Sequence, residues 1–176
     1  MSAEKGNPGV RQLVLSLTVA EKETGLLTQT RGRLFRTGEQ VDSGWVRRVA
    51  EDADLSERLE AFSARFGRLQ DTVMDKVLPR LLLAAGENAG SAIDNLNHAD
   101  RLGLVDRPDD WIVMRQLRNR LVHEYMDDSF QYPLEGCAVD FASVLNDALR
   151  LASDLVETVD RIRRFATERF ASGMDE

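Results

Sequence analysis

Leu55, Leu59, Phe62, Phe66, Leu69 and Val73 recur at spacings of 4, 3, 4, 3 and 4 residues. That rhythm is a narrow apolar seam, the kind that lets helices interdigitate in a bundle or coiled coil. A chain that carries it must supply other helices to cover it. The seam runs on through Val77 to Pro79. There a kink or break is expected, because proline has no N–H and its ring crowds the turn before it. Leu81 to Ala85 then lead to Gly86, an expected helix end. At the other end, Asp54 and Glu57 form a capping-box pattern with acidic first-turn chemistry.

The rest of the chain supplies the partners. Val10, Leu13, Val14 and Leu17, continued by Leu26, Leu27 and Leu34, predict an amphipathic helix from about 10 to 35, weakened by Gly25 and Gly32 and stopped near Gly38. Ser43 is the expected cap of a helix through Trp45, Val46 and Val49 to about Glu51. Gly90-Ser91 opens a short helix on Ala92, Ile93, Leu96 and Ala99, closed by Gly103 with Leu104 and Val105 tucked back as the hydrophobic contact of that cap. Asp109 or Asp110 is the expected cap of a helix from Trp111 through Met114, Leu117 and Leu121 to about Tyr125. Asp127, Asp128 and Ser129 read as a turn, and Pro133 as the first turn of the last helix. Phe141, Leu145, Ala148, Ala152, Leu155, Val159, Ile162 and Phe165 form its stripe. No segment alternates with the period of a strand, so no sheet is expected. The reading is all-α, a four- or five-helix bundle forming one domain over 9–170, with a disordered 1–8 and a frayed 171–176.

Composition narrows the function. The 43% of apolar residues is enough for a core, yet no run approaches a membrane span. The first residues lack a positive-then-apolar signal pattern, and the lone Cys137 fits a reducing compartment, so the expected location is cytoplasmic. One cysteine and two histidines make a Cys/His zinc site unexpected, and no cofactor is expected. The net charge of −7 argues against DNA or any broad, non-specific nucleic-acid face, though not against a small basic pocket. Lysines are few (Lys5, Lys22 and Lys76), and arginine, the better phosphate fork, is the main cation.

One stretch concentrates chemistry: Arg118-Asn119-Arg120-Leu121-Val122-His123-Glu124-Tyr125. At ~100° per residue, Arg118 and Tyr125 fall within roughly 20° of one another, two turns apart. Asn119 and His123 form an i, i+4 pair roughly 100–140° round from Arg118. Arg118 and His123 therefore point different ways on one straight helix. They can converge on a ligand lying across the helix end. Alternatively, each can meet its counterpart across a two-fold dimer, where Arg115, Arg118 and Arg120 would be doubled. An isolated Arg-x4-His is by itself a common helix-surface pair, and a histidine near a helix end often complements the dipole.

The segment Trp111–Tyr125 resembles the HEPN superfamily, and in particular the HepT-type toxins paired with minimal nucleotidyltransferase (MNT, MntA-type) antitoxins. Their pattern, Arg-x4-His-x-Tyr with Asn after the Arg, is matched at Arg118, Asn119, His123 and Tyr125 without a gap. The resemblance implies a HEPN-like up-and-down bundle and a homodimeric, metal-independent endoribonuclease whose composite site lies at the dimer interface. It implies that His123 moves protons, Arg118 stabilises charge on phosphorus and Asn119 orients substrate or ring. Arg115 and Arg120 would bind RNA, and Tyr125 would be the hydroxyl that the antitoxin modifies with AMP. The alternative is a non-catalytic helical module that binds a nucleotide or docks a nucleotidyltransferase.

The remaining singular residues read as structure. Trp45 and Trp111 are expected as core or interface anchors. His98 is expected on a solvated surface, as are Arg65, Arg68 and Asp71 on the polar flank of the seamed helix. Cys137 is expected as a small buried residue, and Glu124 as exposed.

Overall fold

A computed structural model describes residues 8–36, 38–126 and 135–171, except for the side chains of 122–126 and 135. All regular structure among the described residues is helical. In chain order it comprises α1 (Pro8–Leu34), α2 (Ser43–Glu51), α3 (Ala53–Thr72), a π-helical turn (Val73–Val77), α4 (Leu78–Ala84), α5 (Ala92–Arg101), α6 (Pro108–Met126) and α7 (Glu135–Arg169). The expectations of disorder at 1–7 and fraying at 172–176 lie outside the described residues, as do the turn at Asp127–Ser129 and the placement of Pro133. Pro8 itself opens α1.

The seamed helix is built as its spacing requires. Leu59, Phe62, Phe66, Leu69 and Val73 are buried, and only Leu55 at the start is half-exposed. Its cap differs from the expected one. Asp52, not Asp54, accepts from the backbone N–H groups of Asp54 and Leu55, at 3.0 and 3.2 Å. Asp54 sits inside the first turn and pairs with Arg58 one turn on. An aspartate two positions earlier wins because its carboxylate faces the open N–H groups from an extended backbone. The same shift occurs at α2, where Asp42 accepts from Trp45 N–H at 2.8 Å and Ser43 is already helical. At α6, Pro108 takes the first helical position after Arg107, whose φ is +48°, so Asp109 and Asp110 lie in the first turn rather than capping it.

Pro79 does not break its helix. The residues before it widen into a π turn, in which Leu78 N–H reaches back five residues to Val73 O. A wider turn relieves the ring's crowding and absorbs its missing donor, and α4 continues. Two Schellman caps stop helices as the glycines predict. Glu87 N–H bonds Leu82 O and Gly86 N–H bonds Leu83 O, with Gly86 at φ +82°. Leu104 N–H bonds Ala99 O and Gly103 N–H bonds Asp100 O, with Gly103 at φ +68° and Leu104 and Val105 buried.

The chain divides into two compact units, each assembled from distant stretches. One takes the described residues of 1–24, 69–109 and 155–176. Within it α5 lies against α4 and the π turn, and its core includes Leu13, Leu17, Leu78, Leu81, Leu96 and Ile162. Ile93, expected on the buried face of α5, is 55% exposed: the buried positions are Asn95, Leu96 and Ala99. His98 is half-buried rather than fully solvated.

The second unit takes 25–68 and 110–154. Its centre is aromatic. Phe35 stacks on Trp45 at 5.1 Å between ring centroids and meets Phe62 edge-on at 5.9 Å, and Phe62 lies parallel to Phe66 at 6.2 Å. Trp45 and Trp111 are both buried, as anchors should be. Phe141, Leu145, Ala148 and Ala152 bury the face of α7 in this unit. Cys137 is exposed, against expectation, because Ala138 and Phe141 set the buried face and leave 137 off it.

Candidate functional site

The motif rides on α6, and the periodicity of that helix decides which side chains are available. Trp111, Met114, Leu117 and Leu121 are buried at spacings of 3, 3 and 4 residues. Ile112, Val113, Arg115, Gln116, Asn119 and Arg120 are exposed. Arg118 falls between the two faces and is half-buried. Near the start of the helix, Arg150 of α7 donates to the Asp110 carboxylate at 3.4 Å.

Arg118 is held by its stem. A Cβ built on Gly67 of α3 would overlap Cδ of Arg118, sit 2.9 Å from its Cγ and lie 3.7 Å from its Nε. The side chain thus crosses α3 at a residue that has no side chain. Arginine commonly buries its methylene stem against a neighbour while the guanidinium stays at the surface, and half-burial of Arg118 agrees with that. Arg68, next to Gly67 in the chain, is exposed.

Of the six residues the sequence singles out, Arg115, Asn119 and Arg120 lie on the exposed side of α6, and Arg118 is seated on α3. The backbone of α6 continues in helix through Met126, so positions 123 and 125 belong to the same helix as Arg118. The side chains of His123, Glu124 and Tyr125 lie outside the described residues. Gly67 is the residue that the pattern at 118–125 gives no hint of. The signal in the sequence was a glycine in the interior of the most regular helix, a place where it is unfavourable unless something needs the space.

A second polar cluster lies in the same unit, where Thr30 and Arg33 of α1 face Asp54, Glu57, Arg58 and Arg65 of α3 across a shallow groove. Its arginines are engaged with α1. Arg65 bonds Leu26 O at 3.1 Å and also the Thr30 hydroxyl, and Arg58 bonds Arg33 O at 3.2 Å. Arg65 is therefore a half-buried tie between helices rather than a solvated side chain.

Among the described residues, no group of three or more His, Cys, Asp and Glu side chains could hold a metal ion. No described helix is long and apolar enough to cross a membrane. Comparison with family models, curated proteins and solved structures gives no match for this chain.

Proposed function

We propose that this chain is a metal-independent endoribonuclease of the HEPN type, acting as a homodimer and serving as the toxin of a toxin–antitoxin pair. The observation that carries the reading is the seating of Arg118. It heads the sequence Arg-Asn-x3-His-x-Tyr on one uninterrupted helix, and its stem is packed on Gly67. A guanidinium on an ordered stem loses less freedom when it meets a phosphate, and it offers a fork of donors to two oxygens at once. Asn119, Arg115 and Arg120 are exposed beside it.

The chemistry these residue types serve is internal transesterification of RNA. The 2′-oxygen forms a bond to the adjacent phosphorus and the P–O5′ bond breaks. A 2′,3′-cyclic phosphate and a free 5′-hydroxyl result. His123 carries the protons, from the 2′-hydroxyl and to the departing O5′, since an imidazole titrates near neutral pH. Arg118 stabilises the extra negative charge on the pentacoordinate phosphorus. Because Arg118 and His123 stand on different faces of one helix, the pairing of two α6 helices about a two-fold axis completes the site. AMP transferred to the Tyr125 hydroxyl by a nucleotidyltransferase antitoxin adds bulk and negative charge two turns from Arg118, which opposes entry of an RNA phosphate.

The test is cleavage of single-stranded RNA by the purified protein in excess chelator, with the ends analysed for cyclic phosphate. His123→Ala should abolish cleavage with the helical fold intact. Wild-type rates from His123→Ala would end the assignment. Tight binding of a nucleotidyltransferase without any cleavage would point instead to a non-catalytic helical module.

A further inference from the structure

We propose that Gly67 is the positioning residue for Arg118, a slot in α3 that fixes where the guanidinium is presented. The proposal rests on the reading of Arg118 as the phosphate-stabilising group. Three glycines of the long helices bear comparison: Gly25 inside α1, Gly32 in its last turn and Gly67 inside α3. Gly25 and Gly32 are exposed, and a Cβ on either would meet nothing within 4 Å. Gly67 is buried, and the three atoms nearest to a Cβ built there all belong to the side chain of Arg118.

The overlap falls on the stem rather than the head. The atoms that crowd position 67 are Cδ and Cγ, with Nε further out at 3.7 Å. The end of an arginine can swing aside at little cost, but Cγ and Cδ move only if the torsions nearest the backbone change. Such a change redirects the whole guanidinium. Ser63, one turn earlier on α3, is also small and buried, and its hydroxyl is turned back onto Leu59 O at 3.0 Å. The ridge of α3 that includes 63 and 67 is thus low where the arginine crosses. Gly67 itself touches no substrate. It acts through Arg118, and a displacement on the order of 1 Å at a charge-stabilising group can reduce rate roughly a hundredfold.

Four full-length proteins test this: wild type, Gly67→Ala, Arg118→Ala and the double variant, each assayed for thermal melting and for RNA cleavage. Gly67→Ala should cut RNA roughly a hundredfold more slowly, with the loss in kcat and little change in KM. In the Arg118→Ala background the new methyl has room, so the same Gly67→Ala step should raise the melting temperature, as alanine does inside a helix. In the Arg118-containing protein it should fail to do so. An identical melting shift in both backgrounds overturns the proposal, as does a wild-type kcat from Gly67→Ala. If the wild-type protein cuts no RNA at all, the ribonuclease reading fails by itself. The melting cycle then decides alone whether Gly67 holds Arg118.

Discussion

Arg163 of α7 grips Glu21 of α1 with two parallel hydrogen bonds, Nε to Oε1 at 2.7 Å and Nη2 to Oε2 at 2.9 Å, across 142 residues of chain. Both side chains keep about a third of their surface in solvent, at 29% and 36% exposed. Water and salt therefore weaken the charge term, and the forked geometry is the reason to expect a measurable effect. Arg163→Lys keeps the charge and loses the fork, and should cost about 0.5–1 kcal/mol. A urea-denaturation cycle with Glu21→Gln measures the coupling; equal midpoints for Arg163→Lys and wild type would show that the forked geometry adds nothing to the charge pair.

Gly25 and Gly32 stand in the open on α1, and nothing approaches their missing Cβ positions. Each therefore carries the conformational freedom of glycine without a structural return. Gly25→Ala should stabilise by about 0.5–1 kcal/mol, and Gly32→Ala, in the last turn of α1, by less. Calorimetry on the single and double variants checks this. A lowered melting temperature would mean that some contact needs the bare backbone.

Trp45 is buried and stacked on Phe35, which in turn meets Phe62 edge-on. Its removal leaves a large cavity at the aromatic centre of the unit. Trp45→Ala should destabilise by about 3–5 kcal/mol, and Trp45→Phe by less, because a ring still faces Phe35. Chemical denaturation with matched slopes separates the two. A loss under about 1 kcal/mol for alanine would contradict the packing described.

Asp94 closes the capping box at the start of α5, accepting from Ser91 Oγ at 2.6 Å and from Ser91 N–H at 3.1 Å. The Ser91 hydroxyl first, and its backbone N–H second, hold the Asp94 carboxyl below its ordinary value of 3.8. A carboxyl depressed in the fold stabilises the native state above the unfolded pKa, and that contribution is lost as pH falls through the folded one. The window is thus below 3.8, on the acid side. Carbon-detected NMR titration should place Asp94 under that value in the wild type, and back near it in Ser91→Ala. An unshifted wild-type titration would count against the box.

Local chemistry made much of this fold legible. Gly86 and Gly103 announced their Schellman caps because only glycine enters the left-handed region cheaply, and both ends formed as expected. The seam from Leu59 to Val73 announced its buried face. Caps were misplaced where several candidates stood together. Asp42 and Ser43 are adjacent, and Asp52 and Asp54 stand only two residues apart. Which side chain points at the open N–H groups depends on the entry angle of the chain, a tertiary property. Pro79 predicted a disturbance but not its form: the chain widens into a π turn whose Val73, Met74 and Val77 are buried, and the helix continues. The exposed Cys137 and Ile93 show the same limit: an apolar residue states a preference, and the helix's packing angle decides whether it is met.

By itself, the sequence determined that the chain is helical, where its main helices run, and that Arg118, Asn119, His123 and Tyr125 share one helix. These follow from spacing and from backbone preferences that act within a few residues. Only the tertiary structure decided that Arg118 is half-buried while Arg115, Asn119 and Arg120 are exposed, and that its stem lies across Gly67. Residues 67 and 118 are 51 positions apart, and nothing local links a bare stretch of one helix to the side chain of another. Their contact depends on how the buried positions of α3 up to Phe66 and the Trp111–Leu121 face of α6 pack within one unit, which brings the bare backbone at 67 under the arginine's stem.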